Sequence, residues 1–105
     1  MDTPIALVTG ANSGIGKATA RGLIQRGYHV ILWCRTEESA ASTAETLRQD
    51  EHSAAVDTLS ADLTDFAALR KAAATLRERY DRLDVLINNA GVLKKERATN
   101  AEGVE

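Results

Sequence analysis

The sequence predicts an α/β fold in which helices cover both faces of a parallel sheet of four strands. Four short apolar runs alternate with three longer amphipathic segments, which is typical of repeated strand–helix–strand units. The second run, residues 29–34, is apolar at successive positions, as a strand buried on both faces requires. A glycine-rich turn joins the first run to the first amphipathic segment. The 105 residues therefore form one domain whose strands are linked by right-handed crossovers.

The first strand is predicted at residues 5–9 and the first helix at residues 14–26. The inner side of this helix is expected to carry Ile15, Ala18, Leu23 and Ile24. Gly22 is expected to allow close packing of the helix on the sheet, and Gly27 to end the helix.

The second strand at 29–34 leads into a second helix that runs to about residue 49. Thr36 has the chemistry of its N-cap, with Glu37 and Glu38 in the acidic first turn that the helix dipole favours. The third strand is predicted at residues 54–59, and the third helix at 66–80 with an inner face of Phe66, Leu69, Ala73 and Leu76. The fourth strand is predicted at 84–88, and residues 94–105 form an irregular tail.

Composition and charge exclude several classes of protein. The net charge is −2 without a basic block, which argues against nucleic-acid binding. No apolar run is long enough to span a membrane, and the N-terminus lacks a secretory pattern. Cys34 is the single cysteine and fits a buried small apolar residue in a reducing setting, while His29 and His52 stand apart from any metal-ligand pattern. We therefore expect a cytoplasmic protein without a metal site.

The chemistry of the chain is concentrated in residues 9–16, which read TGANSGIG. A strand, a glycine-rich turn and a helix N-terminus in that order form an anion site, because free N–H groups and the helix dipole favour negative charge there. The alternative is a turn with a purely structural role. The context of the turn, with a strand before it and a helix after it, favours the binding of a pyrophosphate.

A second motif, NNAG at residues 88–91, follows the fourth strand. Together the two motifs resemble the short-chain dehydrogenase/reductase family, and the phrases at 11–17, 30–35 and 99–105 look like its retinol-dehydrogenase-like branch. The resemblance covers essentially the whole chain. It implies a Rossmann-type three-layer αβα fold with strand order 3-2-1-4, the N-terminal half of a doubly wound fold that binds NAD(P).

The resemblance also implies roles for individual residues. The pyrophosphate would be lined by Gly10, Ser13, Gly14, Ile15 and Gly16. The riboses on the adenosine and nicotinamide sides would lie along Asn89, Ala90 and Gly91. Asp62 and Leu63 would flank the adenine, although Asp62 also suits a plain turn or capping residue before the third helix. Asn88 has an alternative structural role, that of tying neighbouring strands together.

Arg35 follows the second strand, where NAD-selective sites carry an acidic residue for the ribose 2′-hydroxyl. A guanidinium at this position pairs instead with a 2′-phosphate, so the sequence favours NADP over NAD. Asn12, Ser13 and Thr36 are candidates for further hydrogen bonds to the cofactor. The alternative is a solvated arginine at a strand end, and Glu37 and Glu38 would weaken the phosphate interpretation if they folded back onto Arg35.

In the family that it resembles, hydride transfer between nicotinamide and a carbonyl or alcohol needs a tyrosine with a lysine four residues later. Here Tyr28 is followed at that spacing by Leu32, and Tyr80 by Asp84, so no catalytic residue is assigned. The fourth strand would also form an unguarded apolar edge that invites self-association. We therefore keep two hypotheses. The chain is either the cofactor-binding part of an NADP(H)-dependent oxidoreductase, inactive by itself, or a truncated, non-catalytic nucleotide-binding or assembly module.

Overall fold

A computed structural model of the chain describes residues 3–51 and 55–89. Its elements in chain order are β1 Ile5–Thr9, α1 Gly14–Gln25, β2 His29–Cys34, α2 Glu37–Asp50, β3 Val56–Ser60, α3 Phe66–Arg79 and β4 Val85–Ile87. All seven elements were predicted, and β3 begins two residues later than expected. The predicted positions of His52, Ala90, Gly91 and the tail at 94–105 lie outside the described residues.

The four strands form one parallel sheet in the order β3-β2-β1-β4, which confirms the predicted Rossmann-type topology. β1 pairs with β2 on one side, Ala6 opposite Val30, and with β4 on the other, Ala6 opposite Val85. Because all strands run the same way, the segments that follow them meet at one edge of the sheet. That edge gathers the glycine turn, Arg35, Asp62 and Asn88.

Two apolar cores cover the two faces of the sheet and confirm the three layers. α1 and α2 pack on one face, where Leu32, Cys34 and Leu47 are buried. α3 packs on the other face through Ala72, against a group that includes Trp33. The indole Nε1 of Trp33 donates to the Ala61 carbonyl at 3.2 Å, which satisfies its only polar atom. Trp33 and Cys34 are therefore core residues, as interpreted from the sequence.

The predicted inner faces of α1 and α3 are wrong in part, near the start of each helix. Ile15 is 74% exposed and Phe66 is 71% exposed, and Ala18 is also exposed. On α1 the buried side is formed by Gly16, Ala20 and Ile24, and neither Ile15 nor Ala18 lies on it. Phe66 is the first residue of α3 and precedes the residues that pack on the sheet. Further along α1, the predicted Leu23 and Ile24 do pack on the core.

The close approach of α1 occurs at Gly16, where the helix meets the glycine turn, and not at Gly22 as predicted. A Cβ on Gly16 would lie 2.2 Å from the Gly10 carbonyl oxygen, whereas a Cβ on Gly22 would meet nothing within 4 Å. The predicted end of α1 is confirmed, since Gly27 follows the C-cap Arg26 with a φ of +91° that suits glycine.

A polar cluster lies at the amino ends of β2 and β3, at the end of the sheet opposite the glycine turn. His29 Nε2 lies 3.0 Å from Asp57 Oδ2, and the Tyr80 hydroxyl donates to the same oxygen. The rings of His29 and Tyr80 meet edge to face at 5.7 Å. This cluster ties the end of α3 to two strands.

Candidate functional site

The glycine turn is held over the end of β2 by its own backbone. Gly10 has a φ of 61°, in the left-handed region that glycine adopts without strain, and its N–H donates to the Trp33 carbonyl at 2.9 Å. The Ser13 N–H closes the turn by donating to the Gly10 carbonyl at 3.1 Å. The turn therefore delivers the chain from the end of β1 to the start of α1 in four residues.

Ser13 is the N-cap of α1, and its hydroxyl accepts a hydrogen bond from the Gly16 N–H at 3.0 Å. The next N–H, of Lys17, donates to the Ser13 carbonyl at 2.8 Å. Within residues 3–51 and 55–89, no acceptor is found for the N–H groups of Gly14 and Ile15, which occupy the first two positions of the helix. Two free donors at the positive end of a helix form an anion site.

Beside this helix start lies a cleft of about 440 Å³ at the carboxyl edge of the sheet. Seven predicted site residues line it: Gly10, Asn12, Ser13, Arg35, Asp62, Leu63 and Asn89. The other described ones, Gly14, Ile15 and Gly16, form the first turn of α1 beside it. The structure thus brings together ten predicted residues that the sequence spreads over four loops. Four further residues line the cleft and were not predicted as part of the site, because their apolar or turn character is not distinctive in the sequence: Trp33, Cys34, Ala61 and Thr64.

Arg35 is exposed at the end of β2 and lines the cleft. Neither Glu37 nor Glu38 forms an ion pair with it in the part of the chain that the structure describes. The first turn of α2 therefore leaves the guanidinium available to an anion. The alternative in which Glu37 and Glu38 fold back onto Arg35 is therefore not the arrangement found.

Asp62 has the turn contacts that were kept as the alternative to adenine binding. Its Oδ1 accepts from the Thr64 N–H at 3.0 Å and from the Thr64 hydroxyl at 2.7 Å. These two hydrogen bonds, with a smaller effect of the Arg35 charge, lower the pKa of the Asp62 carboxyl. The carboxylate is therefore fixed and charged, and Asp62 lines the same cleft as Arg35.

Asn88 and Asn89 connect the end of β4 to β1 and to the glycine turn. The Thr9 hydroxyl donates to Asn88 Oδ1 at 3.1 Å and accepts from the Asn89 N–H at 2.8 Å, so Asn88 does tie neighbouring strands. The Asn89 side chain donates through Nδ2 to Ser13 Oγ at 2.9 Å. No local pattern predicts this contact, because 76 positions separate the two residues.

Cys34 lies beneath the turn and is not positioned as a nucleophile. Only 1% of its surface is exposed, and burial raises the pKa of its thiol. The N–H groups of Asn12 and Ala11 and the hydroxyl of Thr43 offset that rise in part. A buried neutral thiol acts as a small apolar residue that supports the turn.

The described residues show neither a helix able to cross a membrane nor a group of three side chains suited to a metal ion.

Comparison with known proteins agrees with this geometry. Human retinol dehydrogenase 13 is 40% identical over 99 residues, which are 94% of this chain and 30% of that protein. A short-chain dehydrogenase from Sphingobium yanoikuyae in complex with NADPH superposes with a TM-score of 0.72 at 43% identity, over 84% of this chain and 34% of that one. RhlG of Pseudomonas aeruginosa in a complex with NADP superposes with a TM-score of 0.75 at 40% identity, over 85% of this chain and 35% of that one.

The chain spans about a third of the length of these relatives. The model of the short chain dehydrogenase family matches residues 4–104, nearly the full chain. The sheet order, the glycine turn and this match agree, and the chain belongs to the short chain dehydrogenase family.

Proposed function

We propose that this chain forms the NADP(H)-binding part of an oxidoreductase that transfers hydride between nicotinamide and a carbonyl or alcohol. The observation that carries the proposal is the pairing of two features at one cleft. Within the described residues the N–H groups of Gly14 and Ile15 have no acceptor and suit the pyrophosphate, and the guanidinium of Arg35 forms no ion pair and suits the 2′-phosphate. Both sites of negative charge on NADP(H) would thus meet a donor.

The space around the turn fits the cofactor's phosphates. A Cβ on Gly14 would meet no atom of the described residues within 4 Å, so the backbone there is open to a ligand that approaches closely. Gly10 and Gly16, by contrast, are engaged with each other and shape the turn. Ile15 is 74% exposed at this point, an apolar side chain that a bound cofactor would cover.

The remaining predicted contacts follow the line of the cleft. Leu63 is 38% exposed and offers an apolar surface to the adenine, with Asp62 beside it as acceptor. Asn89, Ala90 and Gly91 are proposed to lie along the riboses on the adenosine and nicotinamide sides. Asn12 lines the same cleft as Arg35 and would add a hydrogen bond to the 2′-phosphate. The hydroxyl of Thr36, the other candidate, is engaged at the N-cap of α2, where it donates to Ser39 Oγ at 3.0 Å and accepts from the Ser39 N–H at 3.1 Å.

The nicotinamide would supply or accept the hydride, and the residues of this chain bind and orient it. Neither of the two tyrosines in the sequence is followed by a lysine four residues later, so we assign no catalytic role to Tyr28 or Tyr80. We propose that the chain of 105 residues binds cofactor without turnover, and that residues outside it transfer the proton.

A calorimetric titration with NADPH and NADH tests the proposal. Arg35→Asp reverses the charge opposite the 2′-phosphate, so we expect the affinity for NADPH to fall by about 10- to 100-fold, which corresponds to losing a charge-assisted hydrogen bond of about 1.5–3 kcal/mol. The affinity for NADH should change less than about threefold. Arg26→Asp is the matched control, because it makes the same charge change at the far end of α1. Equal losses for both cofactors would contradict the assignment of Arg35.

A second candidate function, an assembly module, rests on β4. Within the described residues β4 has a strand partner on one side only, and its Leu86 is 58% exposed. Such an apolar edge favours pairing with another chain. Light scattering separates the candidates: Leu86→Lys should reduce any association of the chain, and a monomeric wild-type chain at high concentration would count against the assembly module.

A further inference from the structure

The hydroxyl of Ser13 has no hydrogen-bonding capacity left for a cofactor. It donates to the Gly10 carbonyl at 2.9 Å, and it accepts from the Gly16 N–H at 3.0 Å and from Asn89 Nδ2 at 2.9 Å. A serine hydroxyl has one proton and two lone pairs, and all three are in use. Ser13 therefore contributes to the site through the conformation that it holds rather than by donating to a phosphate.

Asn89 is fixed on both sides of this contact. Its N–H is bound to the Thr9 hydroxyl at 2.8 Å, which sets its backbone against the end of β1. Its Nδ2 donates to Ser13 Oγ and also lies 3.3 Å from the Gly10 carbonyl oxygen. The reversed amide would place Oδ1 against that carbonyl oxygen, two acceptors in contact, so the hydrogen-bond chemistry supports this orientation.

The same amide occupies the space beside the helix start that Gly16 leaves open. A Cβ on Gly16 would lie 2.8 Å from Asn89 Nδ2. The missing side chain thus allows the end of β4 to reach the turn. The cap that Asn89 supports uses the N–H of Gly16, and among the residues that the structure describes no acceptor takes the N–H groups of Gly14 and Ile15.

We propose that Asn89 is a positioning residue that acts through the Ser13 hydroxyl to hold the glycine turn in its anion-binding conformation before the cofactor arrives. This inference rests on the proposed binding of NADP(H). It assigns the Asn89 side chain an effect on the phosphates through Ser13, in addition to the ribose contact proposed above. A turn that is already in its binding conformation saves the ordering cost at the time of binding.

The test is a double-mutant cycle on NADPH affinity, measured by calorimetry with the full chain. Ser13→Ala and Asn89→Ala should each weaken NADPH binding by about five- to tenfold, the effect of one hydrogen bond of about 1–1.4 kcal/mol. The double variant should lose no more than about tenfold, because each single change already breaks the same link. Ser13→Thr keeps the hydroxyl and should bind NADPH within about threefold of wild type.

Losses that multiply in the double variant would overturn the proposal, since they would show that the two side chains act separately. Unchanged NADPH affinity in Asn89→Ala would overturn it as well. Asp65→Ala is the matched control, because it removes the N-cap of α3 at a distance from the turn. It should lower the stability and leave the affinity within about threefold.

Hydrogen exchange without ligand separates this inference from the proposed function. The Gly16 amide, bound to Ser13 Oγ, should exchange faster in Asn89→Ala and at the wild-type rate in Asp65→Ala. If wild type binds neither NADPH nor NADH, the proposed function fails, while faster exchange would still support the link between Asn89 and the turn. Unchanged Gly16 exchange in Asn89→Ala would overturn that link whatever the cofactor does.

Discussion

Gly16→Ala tests whether contact between α1 and the glycine turn shapes the site. The added Cβ would lie 2.2 Å from the Gly10 carbonyl oxygen and 2.9 Å from its carbon, both backbone atoms that no rotamer change can move away. The first turn of α1 must therefore retreat by roughly 1 Å, and overpacking of this kind costs about 1–3 kcal/mol. The retreat also weakens the Ser13 cap, which adds about 1 kcal/mol. We expect a loss of about 2–4 kcal/mol in the free energy of unfolding.

Urea unfolding followed by circular dichroism measures this loss. For a domain of this size, the midpoint of Gly16→Ala should fall by about 1–2 M. Gly22→Ala is the matched control on the same helix, where the new Cβ would meet nothing within 4 Å. It should raise the stability by about 0.5–1 kcal/mol, since alanine favours a helix over glycine. Equal midpoints for the two variants would refute the close approach at Gly16.

Two further predictions concern the open end of α1 and the opposite end of the sheet. Gly14→Ala should unfold within about 0.5 kcal/mol of wild type but bind NADPH about tenfold more weakly by calorimetry, because its Cβ enters open space that we assign to the phosphates; unchanged affinity would count against that assignment. Burial raises the pKa of Asp57, but hydrogen bonds from Tyr80 and His29 and the charge of Arg79 outweigh this effect and hold the pKa of Asp57 below 3.8. Burial and the contact with Asp57 raise the pKa of Tyr80 from 10.0 to about 12. The stability that comes from the lowered pKa of Asp57 is present above pH 3.8 and is lost in stronger acid. The stability that comes from the raised pKa of Tyr80 is present below pH 10.0 and is lost as the pH rises towards about 12. Urea midpoints measured across pH should therefore fall in both ranges for wild type and fall less for Tyr80→Phe, and parallel pH profiles for the two proteins would show that this cluster does not contribute.

The topology was predictable because its signals are local and repeated. Strand and helix lengths, the glycine after α1 and the N-cap at Thr36 all act within a few residues, and the structure confirms them. The inner helix faces were harder to predict, since periodicity does not show where along a helix the contact with the sheet begins. Phe66 precedes that contact on α3, and Ile15 lies away from the side of α1 that Gly16, Ala20 and Ile24 bury. Gly22 and Gly16 likewise look alike in sequence, and only the packing distinguishes them.

The members of the candidate site were predictable because parallel strands bring their carboxyl ends to one edge. The contacts between the members were not. Asn89 and Ser13 lie 76 positions apart, and nothing in either segment indicates that the Ser13 hydroxyl would accept a hydrogen bond from the Asn89 side chain as well as cap α1. Asp62 likewise suits two roles in sequence, and the structure shows its turn contacts with Thr64.

The most direct test of the central claim is an NMR titration of the chain with NADPH, followed through its backbone amides. The claim is that the N-terminus of α1 and Arg35 together receive the charged groups of NADP(H). It predicts that the largest shifts fall on the amides of Gly14 and Ile15, and that the Arg35 amide shifts strongly with NADPH and weakly with NADH. Saturable shifts confined to other parts of the chain, or no shifts at Gly14 and Ile15 at saturating NADPH, would contradict it.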